Sequence, residues 1–276
     1  MINMKYYISI FFISIIYSSQ IINLTGNINH FSQMNSGTYF SKNDRSTNVV
    51  SLSFIQLPSN ILYSEFFSQF KSKDILISPR LGMIDYGTLS SIYNDDFTAY
   101  ESIAEITFHK AINNTKYSSS IGYIMSSIQN YKSSLLLYNI GFSKLFLDNQ
   151  LQLDFSMENN IKTINDYSNF ENNYNRHYRI NTVYSLQYLP LDIKVDFLHS
   201  KTFSSGTLAT KVYLNNIINL YSAKKIYFTN INSYNLLDNI SLGLSILTKK
   251  IQFNFGVQLL SGSSISYGSS LLVPIK

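Results

Sequence analysis

Leu151-Gln152-Leu153-Asp154-Phe155-Ser156-Met157-Glu158 alternates apolar and polar residues through four repeats. Successive residues of an extended chain point to opposite faces. This stretch therefore spells a strand with Leu, Leu, Phe and Met on one side and Gln, Asp, Ser and Glu on the other. The same two-residue period recurs in short segments from Ser90 to Ile275. It predicts an all-β sheet with one oily side and one wet side. Whether the oily side meets a protein core or lipid decides the fold.

The pattern places strands near 83–92, 99–112, 117–127, 134–147, 151–158, 177–188, 191–199, 206–215, 224–232, 239–247, 250–260 and 264–273. That makes twelve, and a further pair from Val49–Leu57 and Asp74–Ser78 would make fourteen. Tight connections fall at Asn113–Lys116, Asp148–Gln150, Leu189-Pro190 and Thr248-Lys249, and longer ones near 93–98, 128–133, 159–176, 200–205 and 233–238. Two connections break the alternation. The 216–223 one is long where a turn is due, and Ser261-Gly262-Ser263 is short where a loop is due. Short turns on one rim and longer loops on the other describe an antiparallel transmembrane β-barrel of about 12–14 strands. Strands of roughly 9–11 residues cross a bilayer when tilted. Counted in pairs, they put the C-terminus in the periplasm. A soluble secreted β-sandwich, acting as an adhesin, shows the same alternation and stands as an alternative.

Composition points the same way. Only 13% of residues are charged and 15% are aromatic, with 22 Tyr, 19 Phe and no Trp. Tyrosine and phenylalanine suit the aromatic girdles of a membrane barrel. The net charge of +5 is spread thinly, which argues against nucleic-acid binding. Cysteine is absent, which excludes disulfides and thiol chemistry. At the N-terminus, Lys5 precedes an apolar run from Tyr6 to Tyr17, followed by Ser18 and Ser19. This pattern predicts a cleaved signal peptide over 1–19, since the run is too short for a spanning helix. Residues 20–80 are expected to form an N-terminal segment, a possible plug that is partly irregular. It would hold one or two strands and a helix over 61–70, where Ile61, Leu62, Glu65, Phe66, Phe67 and Phe70 suit an amphipathic helix. Residues 81–276 are expected to form the barrel.

The central and C-terminal segments resemble the PorV/PorQ group of outer-membrane proteins, nearer its PorQ branch, within the FadL-like barrels. The resemblance is carried by Tyr117–Ser134 with its Ser-Ser-Ile…Tyr…Ser-Ser order, by Leu189-Pro190-Leu191-Asp192-Ile193, and by Leu242-Gly243-Leu244 onward to Tyr267-Gly268. Leu57-Pro58-Ser59 resembles the group's Leu-Pro-x-Ser start, although the Gly-rich stretch expected after it is replaced by Ile61–Phe70. The C-terminal Val273-Pro274-Ile275-Lys276 lacks a terminal aromatic residue. The resemblance implies a non-enzymatic outer-membrane component of type IX secretion. Such a protein would anchor a partner protein for cargo secretion and surface attachment. The alternative is a FadL-like transporter of hydrophobic small molecules.

Residues able to carry chemistry are few. His30, His109, His177 and His199 share no metal-ligand spacing, and His109 joins Glu105 and Glu101 on one strand face, where the three would line a lumen. Asp95-Asp96 falls in an expected loop and offers too few oxygens for calcium. Ser68-Gln69-Phe70-Lys71 matches S-x-x-K on the expected helix, without the companion Lys-Thr-Gly or Ser-Asp-Asn. No catalytic, cofactor or metal residue is therefore assigned, and the expected surroundings are outer-membrane lipid.

Overall fold

In the computed structural model, fourteen antiparallel strands close into one barrel, with β1 paired to both β2 and β14. The structure describes residues 48–90, 96–128, 131–165, 176–201, 203–228, 239–248, 251–260 and 264–275. The strands are β1 (Asn48–Gln56), β2 (Leu62–Ser72), β3 (Ile75–Ser90), β4 (Asp96–Ile112), β5 (Thr115–Ile128), β6 (Tyr131–Phe146) and β7 (Leu151–Asn165). They continue as β8 (His177–Ser185), β9 (Leu191–Ser200), β10 (Ser204–Tyr213), β11 (Ile218–Tyr227), β12 (Ile240–Leu247), β13 (Gln252–Leu259) and β14 (Ile265–Ile275). One closed sheet replaces the two stacked sheets of a sandwich, so the adhesin alternative falls with its fold. Closure pairs every strand on both sides and leaves no edge exposed.

Period-two alternation decides which residue faces where. Along β7, Leu151, Leu153, Phe155 and Met157 point out, while Gln152, Asp154, Ser156 and Glu158 point in, as their sequence pattern predicts. The outer surface carries Leu52, Phe54, Leu81, Ile106, Ile121, Phe142, Ile180, Val195, Leu208 and Leu242, all largely exposed. In water such a belt would be an aggregation surface. In lipid it is solvated. Charges that point outward, such as Lys110, Lys144, Lys162 and Lys224, sit within a few residues of a strand end. Lys144 lies 5.2 Å from the Phe146 ring, its stem running toward the rim.

Several sequence expectations change. The helix expected over 61–70 is strand β2, whose Tyr63, Glu65, Phe67 and Gln69 are buried while Leu62, Phe66 and Phe70 are exposed. Both of its faces carry aromatic residues, and this hid the two-residue period. The extra pair of strands is therefore β1 with β2, because 74–78 runs on into β3. The connection expected over 216–223 contracts to 214–217. Ile218-Asn219-Leu220 already pairs with Leu244-Ser245-Ile246, and the Leu247 amide donates to the Ile217 carbonyl at 2.6 Å. On the other rim, β5 and β6 follow each other with only residues 129 and 130 between them. The loop rim thus mixes short and long connections. Of the N-terminal segment expected over 20–80, residues 48–80 belong to the barrel as β1, β2 and the start of β3, because their pairing with β14 and β4 closes the sheet. Residues 20–47 and the signal peptide expected over 1–19 lie outside the described residues.

Strand length is uneven around the barrel. β3–β7 have 14 to 17 residues, the other strands 8 to 11. The surplus lies beyond the loop rim. β7 continues past Glu158, its last partner to β8, through Asn165. Seven more residues at roughly 3.3 Å each raise this wall about 20 Å along the strand direction. Two irregularities accommodate the change. Gly87 has φ +70 beside the register shift between Asp85 and Thr88, and its amide donates to the Asp85 carboxylate at 2.8 Å. Asn159, at φ 57, donates its amide to the Asn139 side chain at 2.8 Å across a second shift.

Candidate functional site

The interior is the candidate site, and four kinds of surface line it. The first is a buried ion cluster on β2–β6. The Arg80 guanidinium reaches Glu65 Oε2 at 3.2 Å from Nε and Glu105 Oε2 at 2.6 Å from a terminal nitrogen. Tyr63 donates to Glu65 at 2.5 Å, and Ser120 and Asn139 donate to Glu105 Oε1 at 2.6 and 3.0 Å. Glycines leave room for it. A Cβ on Gly82 would stand 3.1 Å from the Tyr63 hydroxyl, and one on Gly122 would stand 3.2 Å from Glu105 Cβ. The side chains of one cluster thus tie five neighbouring strands together.

The second surface is the charged and aromatic wall of β7–β11. Arg179 lies 3.5 Å from Glu158 and 3.6 Å from Asp196. Asp154 accepts hydrogen bonds from Gln152 at 2.9 Å and from Asn181 at 2.7 Å. Lys211 stands over the Tyr213 ring at 4.5 Å and Lys225 over the Tyr227 ring at 4.7 Å, where the ring quadrupole favours a cation. Tyr213 donates to Asp192 at 2.5 Å.

The third surface is neutral. On β12, β13, β14 and the middle of β1 the inward residues include Ser241, Ser245, Asn254, Gln258, Ser266, Ser270, Ser51 and Ser53, all buried and none charged.

The fourth surface is apolar and lies toward the loop mouth. Ile55, Leu57, Tyr63, Ile84, Ile103, Ile124, Leu135 and Leu137 pack into one buried cluster, with Ile61, Tyr86 and Ile161 against it. Most come from the inner face of the raised β3–β6 wall. Leu57 and Ile61 come from the β1–β2 connection, closed by the Leu57 amide donating to the Ile61 carbonyl at 2.8 Å. Barrel interiors are usually polar. Here the mouth is not.

The residues singled out from the sequence separate clearly. Glu101, Glu105 and His109 all face inward on β4 and are buried, as their shared spacing predicts. They serve different surroundings, since Glu105 is committed to Arg80 while Glu101 lies among isoleucines. Among the described residues, no three His, Asp or Glu side chains gather as a metal site. Ser68 and Lys71 sit three apart on a strand, hence on opposite faces, which dissolves the S-x-x-K reading. His177 faces inward against Phe203 at 5.6 Å between ring centroids. His199 faces outward and contacts Ser204 at 2.7 Å. His30 and Asp95, and the side chain of Asp96, lie outside the described residues. The Glu65–Arg80–Glu105 cluster escaped the sequence reading because its members stand 15 and 25 residues apart. The signal was there in part: Glu105 falls on the wet face of its alternating segment, while Glu65 lies in the stretch whose period pointed to a helix.

No family model matches the chain, and no curated protein matches it. Solved structures do. The toluene transporter TodX of Pseudomonas putida is similar with a TM-score of 0.63 at 8% identity, covering 88% of this chain and 91% of that one. A TodX variant lacking S2 and S3, described as a monoaromatic hydrocarbon channel, gives 0.62 at 8% identity, covering 85% and 92%. The fold is that of a FadL-like outer-membrane barrel. At this identity the likeness carries the fold alone, and it adds nothing to the PorV/PorQ assignment.

Proposed function

We propose that this barrel passes small hydrophobic molecules across the outer membrane. The observation that carries the reading is the buried apolar cluster at the loop mouth, centred on Ile84, Ile103 and Ile124. A pore for ions or sugars would be wet at this point. An apolar mouth instead gives a hydrophobic solute a place to leave water, at about 25 cal/mol per Å² of apolar surface removed from it. The fold neighbours described as toluene and monoaromatic hydrocarbon carriers support the same direction. With the short turns on the periplasmic rim, Asn48 and Ile275 both lie on that side, following a cleaved signal peptide.

The test is uptake of radiolabelled naphthalene by cells producing the protein, against cells without it. Uptake should rise several-fold, and Ile124→Lys should remove the increase while leaving the heat-modifiable gel mobility of a folded barrel. Equal uptake by producing and non-producing cells would sink the reading.

Anchoring of a type IX secretion partner stands second. Its support is the raised β3–β7 wall, which offers a partner a surface above the membrane. Unimpaired cargo attachment after gene deletion would remove it.

A further inference from the structure

Glu101 is the anomaly of the apolar mouth. It points inward from β4 between Ala99 and Ile103, and its side chain is fully buried. Its cross-strand partners are Ile84 on β3 and Ser126 on β5, and Ile84, Ile103 and Ile124 all belong to the apolar cluster. Its one hydrogen-bonding neighbour of note is the Tyr86 hydroxyl, which leaves most of the acceptor capacity of the carboxyl group unfilled. The contrast with Glu105, four residues along the same face, is sharp. Glu105 has Arg80, Ser120 and Asn139. Burying a carboxyl group with most of its acceptor capacity unfilled costs free energy that packing alone would avoid with a leucine.

The surroundings indicate what could supply the donor. Leu62 pairs with Asp85, and Asp85 with Tyr100, so the β1–β2 connection carrying Leu57 and Ile61 lies at the height of Glu101. A solute that displaces Leu57 or Ile61 would meet isoleucine and leucine side chains on its flanks and the Glu101 carboxyl, with the Tyr86 and Ser126 hydroxyls beside it. An organic cation fits poorly, because its charge would have to be stripped of water in an apolar site. A neutral donor, an aromatic N–H or O–H, loses far less.

We infer that Glu101 selects hydrophobic solutes bearing one neutral hydrogen-bond donor, accepting that hydrogen on a carboxyl oxygen while the mouth cluster holds the rest of the molecule. This rests on the channel reading and narrows it to a chemical class.

Indole and 1-methylindole test it, since they share shape and differ by the N–H. The chain contains no tryptophan, so indole fluorescence reports binding to the detergent-solubilised barrel directly. The wild-type protein should bind indole roughly tenfold or more tightly than 1-methylindole, the difference expected for one buried hydrogen bond to such a group. Glu101→Leu should bind both alike, at about the wild-type level for 1-methylindole. Glu101→Gln keeps the shape and an acceptor and should retain part of the preference, which covers the case in which the leucine variant does not fold. Equal binding of the two probes by the wild-type protein would overturn the donor class and leave the channel standing. A preference that survives Glu101→Leu, or that Glu101→Gln leaves at full strength, would overturn the assignment to Glu101. Binding of neither probe would overturn both the inference and the channel.

Discussion

At the scale of single residues, the interior works by compensation. Arg80 is 13% exposed, and the side chains of its partners Glu65 and Glu105 are 0% and 6% exposed. Three charges this deep hold together only as a set, because the loss of one leaves the others uncompensated. Arg80→Met should therefore destabilise the barrel by about 3–5 kcal/mol. The triple variant Arg80→Met, Glu65→Gln, Glu105→Gln should recover most of that. Urea unfolding in detergent measures both, and a single variant as stable as the triple one would refute the account. None of this could be read from spacing. Residues 65, 80 and 105 meet because β2, β3 and β4 are neighbours in register. The inward direction of Glu101, Glu105 and His109 was legible, since it needs only period two along one strand.

The strands carry their own defects, and β3 shows how a local feature sets an element's strength. Pairing between β2 and β3 runs from Leu62–Asp85 to Phe67–Arg80 and resumes only at Phe70–Ile77. The gap falls at Pro79, which has no N–H to give. On the other side Pro79 stays in register with Ile106 of β4, so the missing donor is on the β2 side. Pro79→Val should restore a ladder bond and raise the stability by about 0.5–1.5 kcal/mol. Heat-modifiable gel mobility should then be lost at a higher temperature, and an unchanged or lower transition would show that the gap has another cause. The same region explains why β2 is expected as a helix. Over 61–70, Tyr63 and Phe67 turn aromatic rings inward, so both faces look oily and a helical grouping of Leu62, Glu65 and Phe66 fits equally well. Only a neighbour on each side, β1 and β3, makes the extended form the better one.

Across the whole molecule, the outward belt sets the depth of each residue in the membrane. Phe142, Phe155, Ile180 and Phe197 stand side by side across β6–β9, and all point out from mid-strand. Leu153 points out as well, but its partner is Lys144, near the short-turn rim. Ile180→Arg should therefore cost about 2–4 kcal/mol and Leu153→Arg only about 0–1, since the penalty falls toward the interface. Folding titrations into lipid vesicles give both values, and equal costs would misplace the belt. Leu151–Glu158 by itself determined a strand with an oily and a wet face, and the repetition of that pattern determined a sheet of many such strands. Those are consequences of chain geometry, which acts residue by residue. Closure at fourteen strands, the raised β3–β7 wall, the Arg80 cluster and the placing of Glu101 among isoleucines were decided by the tertiary structure alone. Each depends on which strands lie side by side and in what register. That follows from pairing between segments, whose free energy no single stretch of sequence contains.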